Sequence, residues 1–428
     1  QKIPGFKSKR DCYKGSLLSR PTERSKLVPW DISEDKEVKN YSEAIVLGAG
    51  LAGAHAASAL CRRGLAVEVI DQGPIAGGAS GNTQGVLYSR LSSKHSSLTD
   101  FSHQALFFSS SLYQSMLQTG TLKLRVDGEI CGSFIGAGEG KDFLYLGEVL
   151  QNHPEIGELL NHEEASRRLG VKVSESGYWL ASSGWMHPPS ICKALLDNPR
   201  ITTTPNCGKL TVTMQNGKWV ISGQANFKRS TDLLILSVGP VCKDLLDLDW
   251  LPLKTNVGQT TQVTSNAELN QLRAVYCHDG YITPARFNEH CVGSTYRLQE
   301  TAISELAVDH KRNLDKLSLA LPEIASPNLS KERSIGWVGV RCTSPDYLPI
   351  VGPIPNRVEF YDQYADLSKN SKIQISSKCP VLSGLYISTA HGSRGLTYAA
   401  LSGEILASCI LGEPPPVSRR LLRAISPA

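Results

Sequence analysis

The sequence predicts an α/β protein in which a nucleotide-binding part, built from separated stretches of chain, encloses an inserted α+β part. Three observations predict this fold class. Residues 44–71 have the pattern strand, glycine-rich turn, helix, strand; residues 385–411 repeat the order strand, glycine loop, helix; and short strand patterns fill the middle. With 428 residues, 41% of them apolar, the chain is long enough for two sizeable cores.

The first of these units contains the strongest motif, a G-x-G-x-x-G formed by Gly48, Gly50 and Gly53. The first glycine permits a tight turn, the second lets a pyrophosphate approach the backbone, and the third lets helix and strand pack closely. Unpaired amides at the helix start would bind the phosphates. Asp71 ends the next strand, where an acid can hydrogen-bond an adenosine ribose. The unit predicts dinucleotide binding.

A second glycine-rich stretch, residues 77–85, follows the second strand. A surface turn is the plain interpretation of such a stretch. Because it lies so close to the first phosphate loop, it indicates instead that a bulky dinucleotide is contacted twice. This suits FAD better than NAD.

Further elements fill the rest of the chain. A helix is expected over 98–117, Asn216-Gly217 predicts a hairpin, and the apolar run 233–238 predicts a strand buried on both faces of a parallel sheet. Short strands are expected near 260–264, 281–283 and 291–295, and a helix near 305–319. The predicted division is a basic linker (1–40), an FAD-binding domain (41–120, 185–250 and 336–428) and a substrate domain (121–184 and 251–335).

Composition excludes several classes of protein. The eleven cysteines are scattered without C-x-x-C pairs, which predicts reduced thiols in a cytoplasmic protein. No apolar run approaches a membrane-spanning length, and no Cys/His spacing indicates a metal site. The sequence therefore predicts neither a membrane segment nor a metal.

The basic charge is concentrated at the start of the chain. Residues 1–30 contain eight lysines and arginines against two acids. Such an arm is either a solvated linker, which composition favours, or a nucleic-acid contact. The chain starts at Gln1 and its three methionines are internal, so we expect it to be part of a longer protein.

Arg341, within residues 339–352, is the polar residue that stands out. A guanidinium group can bind a carboxylate through two parallel hydrogen bonds. The alternative is a structural salt bridge to a nearby acid such as Asp346. Local sequence favours neither interpretation.

Together, residues 44–71, 233–239, 280–284, 339–352 and 384–395 resemble the glycine/D-amino-acid oxidase family of FAD enzymes. A closer resemblance, over essentially the whole chain, is to the FAD-dependent domain of the bifunctional enzymes of tRNA 5-methylaminomethyl-2-thiouridine biosynthesis. Residues 78–88 look like the flavin loop of that family, and 392–396 and 412–414 also fit it. Residues 3–10 are similar to the end of its methyltransferase domain.

This resemblance implies a D-amino-acid oxidase-like fold, FAD as cofactor and tRNA as partner. The enzyme would oxidise the N–CH₂–COO⁻ arm of 5-carboxymethylaminomethyluridine at the anticodon wobble position by hydride transfer to FAD. Hydrolysis of the imine would release glyoxylate and leave an aminomethyl group. An N-terminal methyltransferase domain of the parent protein would then methylate the amine.

The resemblance also implies roles for individual residues. Arg341 would bind the carboxylate, Arg394 would lie beside flavin and substrate, and Tyr281 would line the site. The implied FAD-binding residues are Gly48, Gly50, Gly53, Asp71, Ala79, Ser80, Gly81, Asn82, Gln84, Gly239, Gly392, Arg394, Gly395 and Leu396.

Two other functions stay open. The first is an oxidase of free glycine, sarcosine or D-amino acids, against which the basic arm and the close loop match count. The second is a tRNA-binding flavoprotein subunit without catalysis. Arg341 beside a complete flavin site counts against it, because a binding module needs no group for a carboxylate.

Overall fold

The computed structural model describes residues 2–3, 12–13, 40–89, 91–92, 94–137, 141–298, 303–324, 335–373, 375 and 377–428. The predicted basic linker therefore lies almost entirely outside the described residues. Among the described residues, no helix combines the length and apolarity needed to cross a bilayer.

The described strands, numbered along the chain, are β1 Lys2–Ile3, β2 Cys12–Tyr13, β3 Glu43–Leu47, β4 Ala66–Ile70, β5 Gly85–Leu87, β6 Gly128–Glu129, β7 Ser133–Gly136, β8 Glu158–Leu160, β9 Gly177–Leu180, β10 Gly184–Met186, β11 Ile201–Thr204, β12 Thr211–Gln215, β13 Lys218–Ser222, β14 Lys228–Thr231, β15 Leu234–Leu236, β16 Lys254–Thr264, β17 Val275–Cys277, β18 Tyr281–Ile282, β19 Glu289–Gly293, β20 Arg297–Leu298, β21 Val338–Thr343, β22 Ile350–Pro355 and β23 Val381–Thr389. The described helices are α1 Leu51–Cys61, α2 Ser97–Gln118, α3 Lys141–Asn152, α4 His162–Leu169, α5 Pro188–Leu196, α6 Cys242–Leu245, α7 Ala307–Ala320, α8 Arg357–Tyr364, α9 Gly395–Leu411 and α10 Arg419–Ile425.

A six-stranded parallel sheet forms the frame of the nucleotide-binding part. Its order is β11-β4-β3-β15-β23-β22, and only the edge strand β22 runs antiparallel to its neighbour. Its central strand β15 is fully buried, as its continuous apolar sequence predicts for a strand covered on both faces. Strands from distant parts of the chain are therefore neighbours in one sheet.

Helices α1 and α9 pack against each other on one face of this sheet. The interface requires small side chains: Ala54, Ala56 and Ala57 are fully buried, and a Cβ atom at Gly403 would lie 2.8 Å from the His55 carbonyl oxygen. This close packing explains why the helix that follows the glycine motif is rich in alanine.

A second, mixed sheet has the order β20-β16-β19-β18-β17-β7-β9-β8, with β21 paired to β16. Helix α7 packs against β16, and Phe134, Tyr276 and Leu317 form part of the core beneath it. The predicted Asn216-Gly217 hairpin is confirmed: both residues have positive φ angles, 49° and 78°, between β12 and β13.

The boundaries of the predicted FAD-binding and substrate domains remain a proposal. Most strands within 121–184 and 251–335 belong to the mixed sheet, but β21, from the segment assigned to FAD binding, pairs with β16 of that sheet along six residue pairs. The proposed boundary at residue 336 therefore separates two paired strands.

Removing a buried carboxylate in the mixed-sheet part should destabilise the fold. Asp309 is completely buried and pairs with Arg297, whose side chain is 8% exposed, at 3.2 Å. In Asp309→Ala this guanidinium loses its carboxylate partner, which typically costs about 3–5 kcal/mol. We expect the free energy of unfolding in urea to fall by about that amount.

The control is Asp315→Ala on the same helix, where an exposed pair with Lys311 is removed. Exposed pairs contribute about 0–1 kcal/mol, so its unfolding curve should nearly match the wild type. Equal effects of the two substitutions would contradict the role assigned to the buried pair.

Candidate active site

A cavity of about 1260 Å³, here called the large cavity, lies between the two sheets. Gly48, Asp71 and Ser237 follow the carboxyl ends of β3, β4 and β15, and all three line it. This edge is where open parallel sheets bind nucleotides. The volume exceeds the roughly 300–1000 Å³ of ordinary small-ligand pockets, as a dinucleotide with a substrate beside it requires.

The glycine motif leaves no room for side chains. Gly48 has φ = 104°, and a Cβ atom there would lie 2.4 Å from the Ser237 carbonyl oxygen. A Cβ atom at Gly53 would lie 1.8 Å from the Gly48 carbonyl oxygen. The turn therefore needs glycine both for its backbone conformation and for its contact with β15.

Asp71 lines the cavity and also holds the turn in place. Its carboxylate accepts hydrogen bonds from the N–H groups of Ala49 at 2.6 Å and Gly73 at 2.9 Å. Burial raises the pKa of this carboxyl, while the backbone N–H groups act in the opposite direction. Asp71, the residue after β4, thus stabilises the glycine turn and lines the large cavity.

The second glycine-rich stretch lies across the start of α1. The Ser80 hydroxyl accepts a hydrogen bond from Leu51 N–H at 3.0 Å, and the Trp337 indole donates to the Gly78 carbonyl at 3.1 Å. The Trp337 ring occupies the space next to Gly81, where a Cβ atom would lie 2.0 Å from it. Both glycine stretches therefore border the same cavity, as the sequence predicts for a doubly contacted dinucleotide.

Asn82 connects this stretch to the mixed sheet. Its amide donates to the Gln84 carbonyl at 2.8 Å and to the Tyr281 hydroxyl at 3.2 Å, and its oxygen accepts from the Thr260 hydroxyl at 3.2 Å. Gln84 is buried behind the cavity and donates to the Pro284 carbonyl at 2.9 Å. Gln84 thus fixes the loop without lining the cavity.

The structure brings most of the sequence-predicted residues together. Those lining the large cavity are Gly48, Gly50, Asp71, Ala79, Ser80, Asn82, Gly239, Tyr281, Arg341, Gly392, Gly395 and Leu396. Gly53, Gly81 and Gln84 lie behind the wall, and Arg394 lines an adjoining space.

This adjoining space, here called the small compartment, has a volume of about 410 Å³. It shares Tyr296, Arg341 and residues 390–393 with the large cavity. Asn256, Leu298, Thr343, Tyr347 and Arg394 complete its wall. Among the described residues, two arginines and no acid line it, so its wall is positively charged.

Arg341 lies at the junction of the two spaces. Its guanidinium donates to the Ser294 hydroxyl at 2.9 Å and to the Thr295 carbonyl at 3.2 Å, and it stacks 4.8 Å from the Tyr296 ring centre. A Cβ atom at Gly258 would lie 1.9 Å from its Nη1 atom, so the guanidinium occupies space that a side chain at residue 258 would take.

The alternative interpretation of Arg341, a salt bridge to Asp346, is wrong. The Asp346 carboxylate accepts hydrogen bonds from the Ser344 hydroxyl at 2.8 Å and Leu348 N–H at 3.2 Å. Over the part of the chain that the structure describes, Arg341 forms no ion pair with an acid. Its charge is therefore available to a ligand.

Arg394 immediately precedes α9 and lies between the rings of Tyr88, at 5.6 Å, and Tyr398, at 6.0 Å. Burial acts to lower the pKa of this guanidinium, but the neighbouring Tyr88, Tyr398 and Tyr296 outweigh it and raise the pKa. Its Nε atom is buried and has no hydrogen-bond partner within the described residues. Arg394 is thus a second cation facing the small compartment.

Several buried polar atoms in the cavity wall lack partners among the described residues. They are Ser237 Oγ, Ser388 Oγ, His278 Nε2 and His391 Nε2. Burial lowers the pKa of both histidines to about 4, so both are neutral at pH 7. Because unpaired buried polar atoms are costly, this wall fits a large polar ligand such as FAD.

The sequence analysis did not identify Trp337, Tyr296 or His278, and it included Tyr88 only as the last residue of the flavin-loop stretch 78–88. Trp337 lies between Gly336 and Gly339, which was its only signal. Among the described residues, no group of three or more metal-ligating side chains is placed to hold a metal ion.

Comparison with solved structures confirms the predicted fold class. Glycine oxidase from Geobacillus kaustophilus has a TM-score of 0.73 and 16% identity, covering 91% of this chain and 98% of its own. Iminodiacetate oxidase from Chelativorans sp. BNC1 has a TM-score of 0.65 and 20% identity, covering 88% of this chain and 98% of its own.

The chain also has similar sequences over its whole length. It is 32% identical over 434 residues to the tRNA 5-methylaminomethyl-2-thiouridine biosynthesis bifunctional protein MnmC of Stutzerimonas stutzeri, covering 100% of this chain and 64% of the relative. The protein of the same name from Legionella pneumophila strain Philadelphia 1 is 32% identical over 435 residues, covering 100% and 63%.

The family model described as FAD dependent oxidoreductase matches residues 43–409. Since this match extends over most of the chain, and the walls of the large cavity fit FAD, the chain belongs to the family of FAD-dependent oxidoreductases.

Proposed function

We propose that this chain removes the carboxymethyl group, as glyoxylate, from 5-carboxymethylaminomethyluridine or its 2-thio form at the tRNA wobble position, leaving the aminomethyl group. The observation that supports this most directly is the placement of Arg341. It lies where the large cavity meets the small compartment, and no described acid pairs with it. A secondary amine with a carboxylate arm is the substrate class that this arrangement suits.

The relatives supply the tRNA part of the proposal. They are named for tRNA 5-methylaminomethyl-2-thiouridine biosynthesis and as bifunctional, and the chain spans 64% of the length of the relative from Stutzerimonas stutzeri. Removing a carboxymethyl group would leave the primary amine that a methyltransferase needs. We therefore propose cytoplasmic tRNA as substrate and a methyltransferase domain of the parent protein as partner.

Different residues of the chain would bind the cofactor and position the substrate. The proposed FAD-binding residues are the two glycine stretches, Asp71 and the loop that precedes α9. FAD, when bound, supplies two-electron oxidation of the C–H bond beside the substrate nitrogen. Arg341 would bind the carboxylate in two-point fashion, while Ser294 and Thr295 hold the guanidinium in place.

The charges in the site favour a substrate whose carboxylate stays ionised and is bound by cationic side chains. His391 and His278 are neutral at pH 7, so the positive charge of the small compartment comes from Arg341 and Arg394. The Tyr281 hydroxyl is hydrogen-bonded to Asn82, so we propose that it orients the loop and the site wall.

Nucleoside mass spectrometry tests the proposal. The chain, loaded with FAD, is incubated with tRNA that contains 5-carboxymethylaminomethyluridine and, separately, with glycine and sarcosine. The proposal predicts aminomethyluridine and an equal amount of glyoxylate from tRNA, with far slower turnover of the free amino acids. Faster oxidation of glycine or sarcosine would establish the free amino-acid oxidase, and no turnover of any substrate would favour the binding subunit.

Substituting Arg341 should remove most of the activity. Each charge-assisted hydrogen bond lost in Arg341→Ala is worth about 1.5–3 kcal/mol. We expect kcat/KM for modified tRNA to fall by roughly 100-fold or more, with partial recovery in Arg341→Lys, because an ammonium group lacks the planar fork.

The matched control for Arg341 is Arg357→Ala, which removes an exposed arginine paired with Asp249. It should leave kcat/KM unchanged. Undiminished glyoxylate release by Arg341→Ala would show that another group binds the carboxylate, with Arg394 the next candidate. Loss of flavin from that variant would indicate a structural role.

Substituting Gly48 should remove the cofactor. In Gly48→Ala the new Cβ atom meets the Ser237 carbonyl at 2.4 Å, so the loop must move. We expect the purified variant to contain little FAD, measured as flavin absorbance per protein. The control Gly64→Ala also places alanine at a positive φ, 96°, but in open space, and it should retain FAD. Equal flavin content in the two variants would contradict the assignment of the loop.

The basic arm provides a test of tRNA as the partner. Residues 1–30 contain eight basic residues, so phosphate contacts made by this arm would release counterions. Deleting residues 1–40 should weaken tRNA binding and flatten its salt dependence while FAD content is unchanged. Identical salt dependence with and without the arm would return it to the linker interpretation.

A further inference from the structure

Tyr347 is an exposed aromatic residue in the wall of the small compartment. Its residue surface is 54% exposed, and it has no side-chain partner within the described residues. It also has φ = 63°, a left-handed conformation that is uncommon for a bulky side chain. Such conformations persist where surrounding contacts enforce them, and they cluster at ligand sites.

The turn that presents Tyr347 is firmly held. The hydroxyl of Ser344, a buried residue, shares its one proton between the Leu348 carbonyl at 2.6 Å and the Asp346 carboxylate at 2.8 Å. The same carboxylate accepts from Leu348 N–H at 3.2 Å. These contacts fix the backbone of the turn that carries Tyr347 in the wall of the compartment.

The other aromatic residue in this wall has a different task. Tyr296 stacks on the guanidinium of Arg341 and helps to hold it. Tyr296 is itself 56% exposed, but its ring already contacts a guanidinium, whereas the Tyr347 ring has no hydrogen-bond or ring partner among the described residues. The Tyr347 ring lies in the same wall of the small compartment as Arg341 and Arg394, and no acid is among the described residues of that wall.

We propose that the small compartment binds the uracil ring of the substrate, unstacked from the anticodon loop, with Tyr347 as its stacking surface. This inference rests on the proposed function and deepens it. Enzymes that act on a base in RNA or DNA take that base out of its stack and hold it against aromatic side chains.

The proposed positions of the base and the carboxylate follow the order of these groups along the substrate. The uracil ring lies in the small compartment, and its arm extends to Arg341 at the junction with the large cavity. The carboxylate and the base are then held at two points, with the C–H bond to be oxidised between them. This two-point binding would select a base that bears the arm over either part alone.

Binding of two anticodon stem-loops to the FAD-loaded chain tests the inference. One has an unmodified uridine at the wobble position and the other has an abasic site there, and dissociation constants are measured by fluorescence anisotropy. The wild type should bind the uridine loop roughly 10- to 100-fold more tightly, as expected for one stacked base.

Two variants of Tyr347 and one control variant test whether the preference for the uridine loop depends on the Tyr347 ring. Tyr347→Asn retains a residue that tolerates positive φ but removes the ring, and it should abolish the preference. Tyr347→Phe should retain it, because stacking needs no hydroxyl. Tyr361→Asn, at an exposed tyrosine on α8, should have no effect. Flavin content should be unchanged throughout.

The results separate this inference from the proposed function. Conversion of modified tRNA by a wild type that shows no preference for the uridine loop would overturn the base compartment alone. Equal weakening of both loops by Tyr347→Asn would also overturn it, because Tyr347 would then contact RNA elsewhere. A preserved preference without conversion would overturn the proposed reaction and leave the base compartment standing.

Discussion

The pairing of β21 with β16 is the interaction on which the site depends. Six residue pairs join these strands, and in their register Arg341 lies opposite Asn256, with Gly258 leaving space for the guanidinium. The residues just before β21 contact the second glycine-rich stretch. There the Trp337 ring packs against Gly81, and its indole N–H donates a hydrogen bond to the Gly78 carbonyl. One strand pair thus fixes the proposed carboxylate-binding group relative to the proposed FAD-binding loop, although the two come from distant parts of the chain.

Charge is distributed so that this position attracts an anion. Two acids near the site accept hydrogen bonds from the backbone: Asp71 accepts from Ala49 and Gly73, and Asp346 accepts from its own turn. The buried histidines remain neutral, so the arginines supply the charge at every pH near neutrality. An arginine without an acidic partner can pair with a carboxylate ligand, so this position favours an anion.

Local sequence patterns correctly predicted those elements whose conformation depends mainly on residues close together in the chain. The glycine motif, the Asn216-Gly217 hairpin and the apolar strand β15 appear where the sequence places them, because turn chemistry and burial on two faces leave direct signatures. The pairing of β21 with β16, the choice between two partners for Arg341, and the exposure of Tyr347 could not be predicted. Each depends on contacts between residues far apart in the chain, for which a single sequence contains no periodic signal.

The central claim is that Arg341 holds the substrate carboxylate between the cofactor and a base compartment. The most direct measurement is a crystal structure of the chain with FAD and a bound N-substituted glycine. The account predicts both carboxylate oxygens within about 2.7–2.9 Å of the Arg341 guanidinium nitrogens, the usual length of such charge-assisted bonds. A carboxylate bound to Arg394 instead, with Arg341 still hydrogen-bonded only to Ser294 and Thr295, would contradict it.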